Sequence, residues 1–257
     1  MRLILLFCLT LLTGCNPGPS NALRVGMELN YPPFETQDSS GKPDGVSVKI
    51  AEALAADLGR PLTIVPMEFG SLTTALKSGN IDLIISSLTA TDERRQTIDF
   101  SEPYAFTALA LLVAKDSPIQ SIDDLKSPDR RLAVKSSTTG ESWATKNLPN
   151  TKRTAFSEDA ACVLEVIQGR ADAFLYDQLS IYRYQKKNPD TTRALLKPFT
   201  EETWAIGLAK GTPDLLQQIN AFLTKFRASG GFEKLAEQYL SEEKAAMQAA
   251  GIPFMLR

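Results

Sequence analysis

Gly79-Asn80-Ile81-Asp82-Leu83-Ile84-Ile85-Ser86-Ser87-Leu88-Thr89-Ala90-Thr91-Asp92-Glu93-Arg94 is the stretch on which the reading of this chain turns. Gly79 falls just after a helical pattern, where a helix stop wants a residue that tolerates positive φ. Leu83 to Ile85 is a short apolar run of strand character. Hydroxyls follow at Ser86, Ser87 and Thr89, and a new helix begins near Thr91-Asp92 with Arg94 in its first turn. Helix, strand, polar turn and helix in close succession is the order of an α/β protein.

The same alternation extends outward in both directions. Strand-like runs are Leu23 to Met27, Leu62 to Val65, Leu109 to Val113, Leu132 to Val134, Ala173 to Tyr176 and Trp204 to Leu208. Ile50, Leu54 and Leu58 repeat every four residues, and Leu215, Ile219, Phe222, Leu223 and Phe226 form a longer helical stripe. The sheets are expected to be mainly parallel. So many βα units in about 240 residues suggest two lobes rather than one core. Ala105 to Ala114 has no loop composition, so it is expected to carry the chain between lobes as an extended segment, with a return crossing near Thr203 to Leu208. On this reading residues 23–107 and 208–257 form lobe 1, and 108–207 form lobe 2.

Composition narrows the function. None of the 257 residues is His, which removes imidazole as triad base, zinc ligand or neutral-pH proton shuttle. With 28 Lys and Arg against 30 Asp and Glu, the chain has no broad attraction to phosphate backbones, so nucleic acid is not an expected partner. A hydrophobic share of 43% and a charged share of 23% exclude disorder. A small-molecule partner is the better expectation.

The uncharged run Leu3 to Leu12 after Met1-Arg2 is too short for a bilayer core, which needs about 20 residues, and reads as a secretory signal. Its ending, Leu12-Thr13-Gly14-Cys15, resembles a bacterial lipobox, in which the Cys sulfur is acylated and becomes the mature N-terminus. Residues 1–14 are therefore read as a lipoprotein signal peptide and residues 15–22 as a tether of linker composition. Cys8 leaves with the signal and Cys15 takes the lipid, which leaves Cys162 alone and permits no intrachain disulfide. Cys162 sits in the periodic run Ala160 to Ile167 and reads as a small buried residue.

Two further stretches join the first: Leu23-Arg24-Val25-Gly26-Met27-Glu28-Leu29-Asn30-Tyr31-Pro32-Pro33-Phe34-Glu35, and Gly169-Arg170-Ala171-Asp172-Ala173-Phe174-Leu175-Tyr176-Asp177. Together with Asp99-Phe100-Ser101-Glu102-Pro103-Tyr104, they resemble the family 3 solute-binding proteins. These are extracytoplasmic receptors that pass polar amino acids to ABC importers. The resemblance runs from about Leu23 to Leu240. It implies a two-lobed, type II periplasmic-binding-protein fold of the Venus-flytrap kind, with two crossing segments. The chain departs from the family after Gly45, where Val46, Ser47, Val48 and Lys49 replace an aromatic and acidic residues; the Ser47 hydroxyl is expected to serve as helix cap instead.

An amino-acid zwitterion needs both charges matched when a cleft closes, because an unpaired buried ion costs several kcal/mol. The resemblance places Arg94 at the ligand carboxylate, where a guanidinium makes paired hydrogen bonds, and Asp177 at the α-ammonium. Ser86, Ser87 and Thr89 offer partners from lobe 1, and Lys135, Thr138, Thr139 and Gly140 from a helix start in lobe 2. Tyr31 and Phe69 match aromatic positions that wall the pocket. Glu28 lies where an acid reaches the side-chain tip, which suits a cation such as lysine or arginine. Glu28 as acceptor for a glutamine amide, or as partner of Lys135, remains open.

The resemblance implies a monomeric receptor without enzyme activity, cofactor or metal. Its partners are an amino acid and an ABC permease, and the membrane is met through the Cys15 lipid only. Ligand shifts the population of an open form toward a closed one. Two rivals share the fold: a dehydratase acting on cyclic dienyl acids such as prephenate, with a pocket carboxylate as general acid, and an amino-acid sensor, which would normally continue into a membrane span that the sequence to Arg257 does not show.

Overall fold

The computed structural model describes residues 21–249 and 251–256; the signal peptide, Cys15 and most of the tether lie outside them. From Leu23 the chain runs through β1 (Leu23–Met27), a hairpin of β2 (Thr36–Gln37) and β3 (Pro43–Asp44), and α1 (Val46–Asp57). Next come β4 (Leu62–Pro66), α2 (Leu72–Lys77), β5 (Leu83–Ile84), α3 (Asp92–Arg95) and the long β6 (Asp99–Thr107). The second lobe holds β7 (Leu109–Ala114), β8 (Arg131–Lys135), α4 (Thr139–Asn147), β9 (Lys152–Phe156) and α5 (Asp159–Ile167). It is completed by β10 (Ala173–Asp177), α6 (Gln178–Lys187) and β11 (Thr192–Leu195). The chain returns through β12 (Glu202–Leu208) to α7 (Pro213–Ala228), α8 (Gly231–Tyr239) and α9 (Ser241–Ala249).

Each lobe is built on one five-stranded sheet, ordered β4-β1-β5-β12-β6 in the first and β11-β7-β10-β8-β9 in the second. The sheets are mixed, not mainly parallel. β1 pairs parallel with β4 and β5, and β8 with β9 and β10, but β12 runs antiparallel to β5 and β6, and β7 to β10 and β11. The antiparallel strands are those adjoining the crossings. β6 and β7 are separated by Ala108 alone, so the first crossing is extended chain, as the apolar stretch Ala105 to Ala114 implies. The second crossing lies ahead of the expected Thr203 to Leu208. That run is strand β12 within the first sheet, and the chain crosses between Leu195 and Glu202 instead. The physical reason is in the sequence: 196–201 carries Lys197, Pro198 and Thr200, whereas Trp204 to Leu208 is apolar enough to be buried inside a sheet.

The helical stripes go where their spacing directs them. Ile50 and Leu54 of α1 and Ile219, Phe222 and Leu223 of α7 are buried against the first sheet's layer, while Leu58 is partly exposed. Cys162 is a buried free thiol whose pKa burial pushes up to about 12, which leaves it inert at neutral pH. The start of α1 corrects the reading of Ser47: the capping position is Gly45, no side chain caps the helix, and Ser47 is buried inside the first turn. Gly45 has φ 116°, and a Cβ there would lie 2.4 Å from the carbonyl oxygen of Phe34.

Gly45→Ala is therefore expected to cost roughly 3 kcal/mol of stability, combining a left-region backbone with a clash against backbone atoms. Gly79→Ala has the same kind of φ, 73°, but its Cβ meets nothing within 4 Å, so it should cost only about 1 kcal/mol. Urea denaturation of both variants measures the difference.

Candidate functional site

The carboxyl ends of the central strands of both sheets open into one cleft between the lobes. Glu28 follows β1; Ser86, Ser87 and Thr89 follow β5; Asp177 ends β10; and Thr138 and Thr139 begin α4 after β8. This is where parallel α/β units present side chains, because the turns after strands are free of sheet pairing. Ten of the sequence-expected residues line the cleft: Glu28, Tyr31, Phe69, Ser86, Ser87, Thr89, Arg94, Thr138, Thr139 and Asp177. The space among these side chains is about 410 Å³, part of it open to solvent.

Two expected residues stand behind the lining. Lys135, fully buried at the end of β8, donates from Nζ to Glu28 Oε2 at 2.6 Å, so it meets the cleft through Glu28. Gly140 lies where α4 approaches β10 so closely that a Cβ would sit 2.7 Å from the carbonyl oxygen of Leu175. Its part is to let the helix start reach the cleft.

Four lining residues were not anticipated: Glu35, Tyr176, Glu202 and Trp204. Glu202 and Trp204 stand two apart on β12, so the strand period that buries one brings the other to the same face. That signal was readable once 202–204 is taken as strand. Glu35 ends the quoted Tyr31 to Glu35 motif, and only its burial marks it out.

Arg94 is held at its backbone by Thr91, whose Oγ1 accepts from the Arg94 N–H at 3.2 Å and caps α3. Its guanidinium donates to the carbonyl oxygens of Thr89 and of Ser137, each at 2.9 Å, the second across the cleft. Phe69 lies under it, 5.5 Å from Cζ to the ring centre. Burial lowers the guanidinium pKa, and Glu202 and Glu93 oppose that. Glu202 Oε2 accepts from Thr139 Oγ1 of lobe 2 at 3.0 Å and from Thr89 Oγ1 of lobe 1 at 3.3 Å. Asp177 caps α6, accepting from the Ser180 N–H at 3.1 Å. Burial pushes Glu28, Asp177 and Glu202 upward, with Lys135 opposing at Glu28, Tyr31 and Ser180 at Asp177, and Thr139 at Glu202.

The lobes are closed in this arrangement. Lys135 with Glu28, Arg94 with Ser137, Thr139 with Glu202 and Asn30 with Glu158 all reach from one lobe to the other. Among the described residues only Ser87 and Ser137 are non-glycine residues with positive φ, 49° and 64°. Ser87 lines the cleft, and Ser137, in the other lobe, carries the carbonyl that Arg94 reaches; such strain is held in place by the surrounding structure. Tyr31 is wedged edge-on against Trp204 at 5.8 Å and Tyr176 at 6.2 Å, forming an aromatic floor. Among the described residues no cluster of His, Cys, Asp and Glu is arranged to hold a metal ion.

Glu35 is the most perturbed acid of the floor. It accepts from Ser87 Oγ at 3.2 Å and Ser86 Oγ at 3.5 Å, yet burial lifts its pKa to about 8. Folding therefore makes Glu35 take up a proton between its ordinary value of 4.5 and 8. Where the folded state binds more protons than the unfolded, stability falls as pH rises. Glu35→Gln removes that penalty. It should melt above wild type near pH 7.5 and lose the advantage near pH 4.5, as thermal melts at the two pH values will report.

The chain resembles known proteins in sequence and in fold. Residues 23–242 match the family described as bacterial extracellular solute-binding proteins, family 3. The L-cystine-binding protein TcyJ of Escherichia coli is 31% identical over 223 residues, covering 86% of this chain and 83% of that protein. An ancestral arginine-binding protein bound to arginine superposes with a TM-score of 0.79 at 33% identity, over 86% of this chain and 98% of the other. An ancestral amino acid-binding protein described as a precursor of cyclohexadienyl dehydratase gives a TM-score of 0.78 at 35% identity, over 85% and 95%.

Proposed function

The chain belongs to the bacterial extracellular solute-binding proteins, family 3, and on that premise we propose that it captures a polar amino acid for an ABC importer, closing two lobes over the ligand and turning nothing over. The observation that carries the ligand chemistry is one half-buried guanidinium, Arg94, lining a closed cleft together with carboxyls from both lobes.

Arg94 takes the ligand carboxylate, exchanging carbonyl partners for a charged one. The start of α4, with Thr138 and Thr139, adds backbone donors on the same side. Asp177 and Glu202 take the ammonium, with the Thr89 hydroxyl beside them. Tyr31 and Phe69 wall the stem of the side chain. Glu28 is already matched by Lys135 and Arg94 offsets one further acid, while Glu35, its pKa lifted to about 8 by burial, is mostly protonated at neutral pH. The cleft is left with one negative charge in excess, which a zwitterion does not alter. A cationic side chain balances it, and this supports a lysine- or arginine-like ligand, in keeping with the arginine bound by a structural neighbour. The same proposal includes a monomeric receptor, a permease partner in the cytoplasmic membrane, lobe 2 at 108–201, and attachment through a lipid on Cys15.

Glu35 favours a second reading. A carboxyl still protonated near neutral pH is what a general acid requires, and one neighbour is described as a dehydratase precursor. Binding is preferred because the Ser86 and Ser87 hydroxyls already donate to Glu35. Incubation with prephenate should show no loss of substrate; catalysed loss would install the enzyme reading instead.

Titration calorimetry with L-arginine, L-lysine and L-glutamine tests the site. Arg94→Ala should cost roughly 3–5 kcal/mol, two to four decades of affinity, by leaving the ligand carboxylate unpaired. Lys135→Met frees Glu28 for the ligand, so it should strengthen binding of the cationic amino acids by about tenfold or more and leave glutamine unimproved. Unchanged affinity in the Arg94 variant overturns the site assignment.

A further inference from the structure

The family match ends at residue 242, close to the start of α9, so most of the C-terminal segment lies beyond it. The segment leaves lobe 1 at α8, whose Tyr239 hydroxyl donates to Asp44 at 2.7 Å. Its first turn then reaches α6 of lobe 2. Arg183 Nη1 donates to Glu243 Oε1 at 2.5 Å, with Glu243 buried, and Lys186 pairs with Glu242 beside it. After α9 the chain turns back to the first crossing. Phe106 N–H donates to the Met255 carbonyl oxygen at 2.8 Å, and Leu256 makes an antiparallel bridge to Ala105, a few residues before Ala108. Met247, Met255 and Leu256 are buried in an apolar cluster that takes in Trp204 of lobe 1 and Leu179 and Ile181 of lobe 2.

One segment thus touches lobe 1, lobe 2 and the strand that joins them. We infer that residues 241–256 are a brace, a third link between the lobes that restrains rotation about the crossing segments and favours the closed arrangement before ligand arrives. Rotation about two extended crossings alone meets little resistance. With the brace in place it must move α6 away from Glu242 and Glu243, leaving a buried carboxylate without its cation. None of the cleft-lining side chains belongs to the brace, which meets the cleft from behind, through Trp204.

Small-angle X-ray scattering of the ligand-free protein tests this, with circular dichroism to confirm folding. Arg183→Glu and Glu243→Arg should each enlarge the radius of gyration, and the double swap, which restores the pair with its signs exchanged, should return it to the wild-type value. Glu243→Gln, a milder change, should move it in the same direction if Arg183→Glu does not fold. Single variants that scatter like wild type overturn the brace, even where they melt earlier, because the contact is then merely structural. Failure of the double swap to restore compactness, or a wild type already more extended than the closed arrangement, overturns it as well. No amino acid is present in the measurement, so its outcome stands apart from the identity of the ligand.

Discussion

The structure turns on the neutralisation of charge at a surface that loses its water when two lobes meet. Glu28, Asp177, Glu202, Arg94 and Lys135 all stand in or behind that surface. None of them is tolerable there alone, since an unpaired buried ion costs more than most single contacts return. The closed arrangement is therefore a set of matched charges: Lys135 on Glu28, Arg94 beside Glu202, hydroxyls of Thr89 and Thr139 on Glu202, and a backbone N–H on Asp177. What this matching leaves over is the demand the cleft makes of its ligand.

The fold supplies the positions. Parallel strands β1, β5, β8 and β10 end at the cleft, and each ending is followed by a turn or helix start that carries polar side chains to it. The antiparallel strands β6, β7 and β12 do different work: they join the lobes and set the aromatic floor through Trp204. Because Glu202 sits on such a strand, its carboxylate reaches hydroxyls of both lobes at once. The group is at the hinge and in the pocket together, so any ligand that draws on it acts on both.

Legibility in the sequence followed physical contrast. β1, β5, β7 and β10 are apolar runs between polar turns, and they were found. β9, Lys152–Phe156, and β11, Thr192–Leu195, lie at sheet edges with mostly half-exposed residues, so they carry no apolar run and were missed. β6 was missed as a strand because it opens on Asp99, Ser101, Glu102 and Pro103, a polar composition that a long strand can carry where it has solvent on one side. In the site, the resemblance singled out Arg94 and Asp177, and both line the cleft. Glu35 and Glu202 were not, because an acid in a sequence gives no sign of whether it will be buried.

By itself the sequence determined the alternation of apolar strands with helices, the absence of imidazole chemistry, the small buried thiol, and the polar residues that follow the apolar strands. These are local properties, set by propensity, spacing and side-chain type. The tertiary structure decided which charges face one another. Glu28 and Lys135 are 107 residues apart, and both the free and the paired reading of Glu28 were consistent with the chain. Only the approach of one lobe to the other puts the ammonium on the carboxylate. The return crossing and the fastening of 241–256 to both lobes were decided at the same level, because partners across a cleft are chosen by the placement of whole sheets and not by neighbours along the chain.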